Sequence, residues 1–280
     1  MEIRARAKIN LTLDVVGRRP DGYHELASVM QEIELADTLV LEPAEDISLV
    51  VDPPVVPAGE DNLVLQAARL LQEYGGVRRG AALRLRKRIP VGAGLGGGSA
   101  DAAAALKGLN RLWRLGLDPG TLAELGARLG SDIPFCLTGG TALVTGRGEV
   151  VEPLPYLPRA ELVLVKPDLT VSTAEVYRGW DERGLTGGRA TPAMLGAVLV
   201  RDWRAVAVCL ANDLEKVTCA RHPEVLSVKQ HLERAGALGV LMSGSGPAVF
   251  SLWPPGAAAR FAFPSRYRVV ATRTVSRPHR

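Results

Sequence analysis

Cysteine is scarce: Cys136, Cys209 and Cys219 are the only three in 280 residues, and none of the paired spacings that hold zinc or run thiol–disulfide exchange occurs. So sparse and odd a set fits a reducing compartment and excludes a disulfide-stapled fold. Long apolar runs are missing too. No stretch approaches the ~18 uninterrupted apolar residues that span a bilayer. The opening Met1-Glu2-Ile3-Arg4-Ala5-Arg6-Ala7-Lys8 places charges where a secretory signal has its apolar segment. The expectation is a cytoplasmic protein with no membrane partner. A Walker A loop is excluded as well, because neither Gly-Lys-Ser nor Gly-Lys-Thr occurs.

What is present is the composition of a globular chain, 47% hydrophobic and 23% charged, enough for one large domain or two ordinary ones. Arginine outnumbers lysine 28 to 6. The net charge is +4, yet six arginines (Arg260, Arg266, Arg268, Arg273, Arg277, Arg280) lie in the last 21 residues, leaving the other 259 at −2. The body is therefore no polyanion binder, and the tail reads as a solvated last strand with a frayed terminus rather than a nucleic-acid footprint.

Residues 2–14 alternate cleanly. Ile3, Ala5, Ala7, Ile9, Leu11 and Leu13 share one face of a strand, and Lys8 and Asn10 project together from the other. Pro20-Asp21-Gly22 is turn chemistry and brings Tyr23 and His24 beside the strand end. Further strands are expected at 38–42, 47–51, 82–88, 141–145, 161–165, 239–243, 248–252 and 268–274. Helices are expected at 62–74, 119–129, 173–183, 192–200, 203–210 and 223–235, with 92–109 a loop running into a helix. The mixture lacks strict βαβ alternation, which predicts an α+β fold. Pro153, Pro155 and Pro158 mark a composition break that suits a boundary between residues 1–153 and 160–280.

The most informative stretch is Pro90-Val91-Gly92-Ala93-Gly94-Leu95-Gly96-Gly97-Gly98-Ser99-Ala100, followed by an alanine-rich run. Glycines let backbone N–H groups close on an anion, and the alanines that follow form a helix whose N-terminus adds unpaired donors and a positive dipole end. That junction is suited to phosphate. Ser99 reads equally as the helix N-cap, and Asp101 as an acid complementing the dipole of the first turn. Gly92, Gly94 and Gly97 satisfy G-x-G-x-x-G, but the acid at the right distance, Asp118, stands before Pro119 between helical stretches, so a dinucleotide fold is disfavoured.

Three segments taken together, Ala7-Lys8-Ile9-Asn10-Leu11 with Arg19 to Leu26 (RPDGYHEL), Pro90 to Ala105, and Leu241 to Pro247 (LMSGSGP), resemble the GHMP small-molecule kinases. The resemblance spans nearly the whole chain. It implies a two-domain α+β fold with the active site in a cleft between the domains, ATP as co-substrate at the glycine loop, and Mg²⁺. YHEL and Gly130-Ser131-Asp132-Ile133-Pro134-Phe135 are similar to those members that phosphorylate the 2-hydroxyl of a CDP-linked methylerythritol, a small-molecule partner. The same likeness implies Lys8 and Asp132 as catalytic residues and Asn10, Tyr23, His24 and Tyr177 as substrate contacts. It also implies Asn62, Leu63 and Lys87 near adenine. Ser99 is the one candidate toward the metal. Each has a plainer alternative: Asp132 and Asn62 as helix caps, Tyr23 and Tyr177 as core edges, His24 as a turn residue. A monomer or weak homodimer is expected. Two other functions stay open at this point, a kinase for another alcohol and a non-catalytic nucleotide- or RNA-binding module.

Overall fold

The computed structural model describes residues 1–257 and 263–276. In chain order its first half holds β1 (Glu2–Asn10), β2 (Thr12–Arg18), β3 (His24–Ala44), β4 (Ile47–Asp52), α1 (Leu63–Tyr74), β5 (Gly80–Arg86), α2 (Gly97–Trp113), α3 (Pro119–Leu129) and α4 (Ile133–Thr138). Next come β6 (Thr141–Gly146), β7 (Val150–Pro153), β8 (Glu161–Lys166), α5 (Thr173–Glu182), α6 (Thr191–Val200), α7 (Trp203–Val208) and β9 (Ala211–Asn212). The chain ends with α8 (Glu215–Arg221), α9 (Pro223–Arg234), β10 (Gly239–Met242), β11 (Val249–Trp253) and β12 (Arg268–Arg273). The fold is α+β, as the mixed pattern predicts. No helix among the described residues is long and apolar enough to cross a membrane.

Two compact units are built from interleaved stretches, because β1 and β3 each run from one into the other. The first comprises Met1–Ala7, Leu35–Val91 and Gly96–Gly139, the second Lys8–Glu34, Gly92–Leu95 and Gly140–Arg280. In the first unit β5 pairs antiparallel with the end of β3 and parallel with β4. The α1 helix starts where the Asn62 side chain accepts from Val64 N–H, and its Val64, Ala67, Ala68 and Leu71 form one buried face. The α2 helix buries Ala100 and Ala102–Ala105 against the same core, where small side chains let it sit close to its neighbours. Asp118 caps α3 just before Pro119.

In the second unit β10, β11, β8 and β12 form an antiparallel sheet in that order. Its core joins Val163, Val165, Met242 and Val249 to Trp180, Val217, Val228 and Leu232 from the helices. A further set of pairings links the start of β3 to β2 and β6, β6 to β7, and β2 to β9.

Several expectations change. The strand at 38–42 is only the end of the 21-residue β3. That strand has no simple alternation, because its partners change from β2 and β6 to β5 and both its faces become covered. The expected strand over 2–14 divides at Leu11 into β1 and β2. The stretch after 129 is helical at α4, β5 ends at Arg86 rather than 88, and α8 was not foreseen. Among the tail arginines, Arg266 pairs with Glu224 at 3.6 Å and Arg273 with Glu161 at 3.7 Å. Arg260, Arg277 and Arg280 lie outside the described residues.

Gly108 marks where α2 meets the sheet of the first unit. A Cβ there would lie 2.7 Å from Leu41 Cδ2 and 2.9 Å from Ile3 Cδ1. Gly108→Leu is expected to overpack this contact at a cost of about 1–3 kcal/mol, read as a lower urea midpoint. An unchanged midpoint would mean that this seat is not tightly packed.

Candidate functional site

The polar face of the first strands is interior rather than solvated. Lys8, Asn10, Thr12 and Asp14 are all at most 4% exposed. Four consecutive buried polar side chains require partners, and the second unit supplies them. Lys8 Nζ donates to Asn10 Oδ1 at 2.9 Å, and Asn10 Nδ2 donates to Ser28 Oγ at 2.9 Å. Ser28 Oγ donates in turn to the Thr12 carbonyl, while Thr12 Oγ1 accepts from Val29 N–H. Asp14 accepts from the backbone N–H groups of Ala190 and Thr191. Lys8 is thus held by a connected network, its ammonium oriented by Asn10.

Lys8 N–H also donates to the Leu95 carbonyl at 3.0 Å. The two preceding carbonyls are tied as well: Gly94 accepts from Ser243 Oγ at 3.0 Å and Ala93 from Ala248 N–H at 3.3 Å. Three successive carbonyls are thereby spent on protein donors. The Ser243–Gly246 turn between β10 and β11 lies directly on the glycine segment. Gly92, Gly94 and Gly96 have φ of 61°, 75° and 66°, a region closed to most side chains. Ala93 and Leu95 are buried supports, whereas Val91 is exposed.

In the first unit Gly96, not Ser99, is the N-cap of α2, and it makes no side-chain capping bond. Ser99 stands in the first turn, where backbone N–H groups lack intrahelical acceptors. Leu63 lies against this turn, with its Cδ1 3.5 Å from the position of a Cβ on Gly98. The Asn62 amide is committed twice, accepting from Val64 N–H and donating to the Pro57 carbonyl. Gly130 leads into Asp132 from beside Ser99, a Cβ there falling 3.9 Å from Ser99 Oγ. Asp132 occupies the N-cap position of α4, yet its side chain makes no capping hydrogen bond. The plain capping role is therefore not what its carboxylate does.

Asp101 is not a dipole-complementing surface acid. Lys87 Nζ donates to its Oδ2 at 2.6 Å and to Asp37 Oδ2 at 2.5 Å, with all three side chains at most 5% exposed. Burial, opposed by Lys87 and reinforced by Asp37, pushes the Asp101 carboxyl up to about 8. Burial disfavours the Lys87 ammonium, but the two carboxylates outweigh it and raise its pKa above the ordinary lysine value. Sequence reasoning did not single out Asp37. Its one signal was an acid inside a β run, where acids are depleted.

In the second unit His24 is no turn residue. It opens β3, is buried, and stacks on Tyr177 with ring centroids 4.8 Å apart and planes 22° from parallel. His24 Nε2 and Asp181 Oδ1 share a 2.7 Å hydrogen bond in which the carboxylate accepts. Tyr23 is 55% exposed, not a core edge, and the Arg147 guanidinium lies 4.9 Å from its ring centroid. Asp181 and Arg147 carry no local motif, and only the tertiary contacts bring them to His24 and Tyr23.

The glycine segment yields a differential test. A Cβ on Gly94 would stand 2.1 Å from the Ser243 carbonyl oxygen, backbone that cannot swing aside, whereas a Cβ on Gly92 meets only a Thr170 methyl at 3.3 Å. Both alanine variants incur the ~1–2 kcal/mol of left-handed backbone. Gly94→Ala is expected to lose clearly more stability than Gly92→Ala, measured by denaturant unfolding. Equal losses would argue against the close approach of the 243–246 turn.

Comparison with known proteins places these features in a family. Models of the GHMP kinases N terminal domain and the GHMP kinases C terminal match residues 62–140 and 194–264. A 4-diphosphocytidyl-2-C-methyl-D-erythritol kinase of Pelotomaculum thermopropionicum is 54% identical over 278 residues, covering 96% of each chain. One of Geobacillus kaustophilus is 51% identical over 90% of this chain and 88% of its own. A crystal structure of 4-(cytidine 5'-diphospho)-2C-methyl-D-erythritol kinase superposes with a TM-score of 0.80 at 36% identity, covering 98% of this chain and 99% of that one. A homoserine kinase from Cytophaga hutchinsonii shares the fold at a TM-score of 0.75 and 19% identity, over 99% of this chain and 94% of its own. The likeness to named relatives along almost the entire length, with both kinase models matched, shows that this chain belongs to the 4-diphosphocytidyl-2-C-methyl-D-erythritol kinase family of the GHMP kinases.

Proposed function

We propose that the protein is a cytoplasmic, ATP-dependent kinase acting on 4-diphosphocytidyl-2-C-methyl-D-erythritol in the non-mevalonate route to isoprenoid precursors. It transfers the γ-phosphoryl group of ATP to the 2-hydroxyl. The observation that carries this reading is the glycine segment, its carbonyls tied to protein donors, in a chain 54% identical to a kinase of that name. The working form is a monomer or weak homodimer. As family domains the division is 1–153 and 160–280, supported by the separate ranges of the two family models, whereas the compact units cross it, with Lys8–Glu34 and Gly92–Leu95 grouped with Gly140–Arg280.

ATP phosphates are received by backbone N–H groups from Gly92 to Ser99, with Pro90 and Val91 leading in and Ala100 N–H closing the first turn of α2 on the Gly96 carbonyl. Donors fixed in advance stabilise the charge that spreads over the phosphoryl oxygens without reorganising. Leu63 contributes an apolar wall for adenine, and Asn62 and Lys87 reach it through their carbonyl oxygens, because their side chains and N–H groups are already engaged. Mg²⁺ offsets charge on the β- and γ-phosphate oxygens when bound. A hard cation suits the Ser99 hydroxyl, with ATP and water as its other ligands.

Asp132 takes the proton of the acceptor hydroxyl as its oxygen bonds to the γ-phosphorus and the bond to ADP breaks. Lys8, oriented by Asn10, offsets the negative charge on the transferring group. Asn10 also lies within reach of the substrate hydroxyls in this reading. Cytosine is read by the Tyr23 face and by His24. With Nε2–H committed to Asp181, His24 Nδ1 is the acceptor available to an exocyclic amine. Tyr177 backs the imidazole. An acceptor without a cytidine group, such as homoserine, has no use for this aromatic edge.

The direct test is a phosphoryl-transfer assay with the CDP-linked substrate against homoserine and mevalonate. Only the first should be phosphorylated, and turnover of either other alcohol at a comparable rate would overturn the reading.

Asp132→Asn is expected to lower kcat by about 10²–10⁴-fold while both substrates still bind. Lys8→Met should lower it too, and the double variant should lose less than the product of the single losses, since residues acting on one step are non-additive. Simple multiplication of the losses would separate the two roles. Tyr23→Ala should raise KM for the CDP-linked substrate by the equivalent of about 1–3 kcal/mol and leave KM for ATP unchanged. Equal effects on both constants would make Tyr23 structural.

A further inference from the structure

We infer that Asp37 and Asp101, acting through Lys87, are positioning residues for the nucleotide: they fix the first turn of α2 where its free amides receive phosphate. The inference rests on the proposed ATP role of the glycine loop. Every member of the constellation belongs to the first unit.

Asp37 lies within β3, Lys87 directly follows β5, and Asp101 is one turn into α2. A single ammonium therefore ties a central strand, the exit of its neighbour and the helix to one point, through bonds of 2.5 and 2.6 Å. The other oxygen of Asp37 accepts from Arg88 N–H and, at 2.8 Å, from Ile89 N–H, so the same carboxylate sets the chain that enters the glycine segment. The first residue of α2 rests on both ends of this arrangement. A Cβ on Gly97 would lie 3.1 Å from Ile89 Cγ2 and 3.5 Å from Lys87 Nζ.

Adhesion alone does not account for the cluster. Buried ions carry a desolvation cost, and apolar residues of like volume often stabilise as well or better. Elsewhere α2 is held by just such contacts, through Ala102, Ala105, Leu106 and Leu109. What the ions add is geometry, because charge-assisted bonds are short and directional. Oδ1 of Asp101 is buried without a hydrogen-bond partner, a cost that a purely structural site would shed by substitution. The ammonium is engaged by carboxylates, so it acts on the ligand through the helix and not by touching it.

The test uses the full chain and four variants: Asp37→Asn, Lys87→Met, Asp101→Leu and Asp101→Asn. ADP affinity is measured by calorimetry, KM for each substrate and kcat by steady-state kinetics, and stability by thermal midpoint. Asp37→Asn, Lys87→Met and Asp101→Leu should weaken ADP and raise KM for ATP by about tenfold or more, as small misplacements of a binding group do. KM for the CDP-linked substrate should stay within about twofold. Asp101→Asn keeps the shape and an oxygen for Lys87, so it should recover most of what Asp101→Leu loses. A lower midpoint with wild-type ADP affinity and KM would make the cluster structural and overturn the inference, as would equal losses for both substrates. If Asp37→Asn or Lys87→Met fails to fold, the two Asp101 variants decide. A wild-type protein that does not bind ADP overturns the ATP reading along with this one, whereas variants that match an ADP-binding wild type overturn this one alone.

Discussion

Backbone N–H groups can face an anion only where the neighbouring carbonyls are turned away from it, and in the glycine segment protein donors hold those carbonyls. In the second unit those of Ala93, Gly94 and Leu95 are taken by Ala248 N–H, Ser243 Oγ and Lys8 N–H. Much of the surrounding structure serves that constraint. The 243–246 turn must approach within a distance that only a glycine at 94 permits, and β1 must run alongside the segment. The same strand that supplies Lys8 N–H to the loop carries the Lys8 ammonium, so loop geometry and this buried cation share one support.

The chain handles its two buried lysines in different ways. Lys8 donates to the Asn10 amide oxygen, and that amide joins it to Ser28 and Thr12. Lys87 lies between two carboxylates and is electrostatically satisfied before any ligand arrives. Both are nearly inaccessible to water, so each depends on the partners that the fold brings to it.

Legibility in the sequence followed the range of the interactions. The period of two in residues 2–14, the Asn62 cap and the glycine-to-alanine junction are local, and each appears in the structure close to where the pattern puts it. The errors have a common origin. Ser99 resembles a cap only until Gly96 adopts a left-handed conformation three residues earlier. Asp101 resembles a dipole partner until Lys87 and Asp37 arrive from strands far away in sequence. His24 follows a turn, but its burial depends on Tyr177 and Asp181 from α5.

Composition and spacing alone determined the α+β class, the glycine-to-helix junction and the motifs that mark the kinase family, because these rest on backbone propensity, side-chain period and residue identity over short spans. Tertiary structure alone decided that the polar face of β1 and β2 is interior, that the glycine carbonyls are occupied, and that Asp37, Lys87 and Asp101 form one cluster. Those outcomes depend on which distant groups supply a partner once water is excluded. A buried charge or carbonyl has a role only when its partner is known, and no local pattern in the chain specifies that partner.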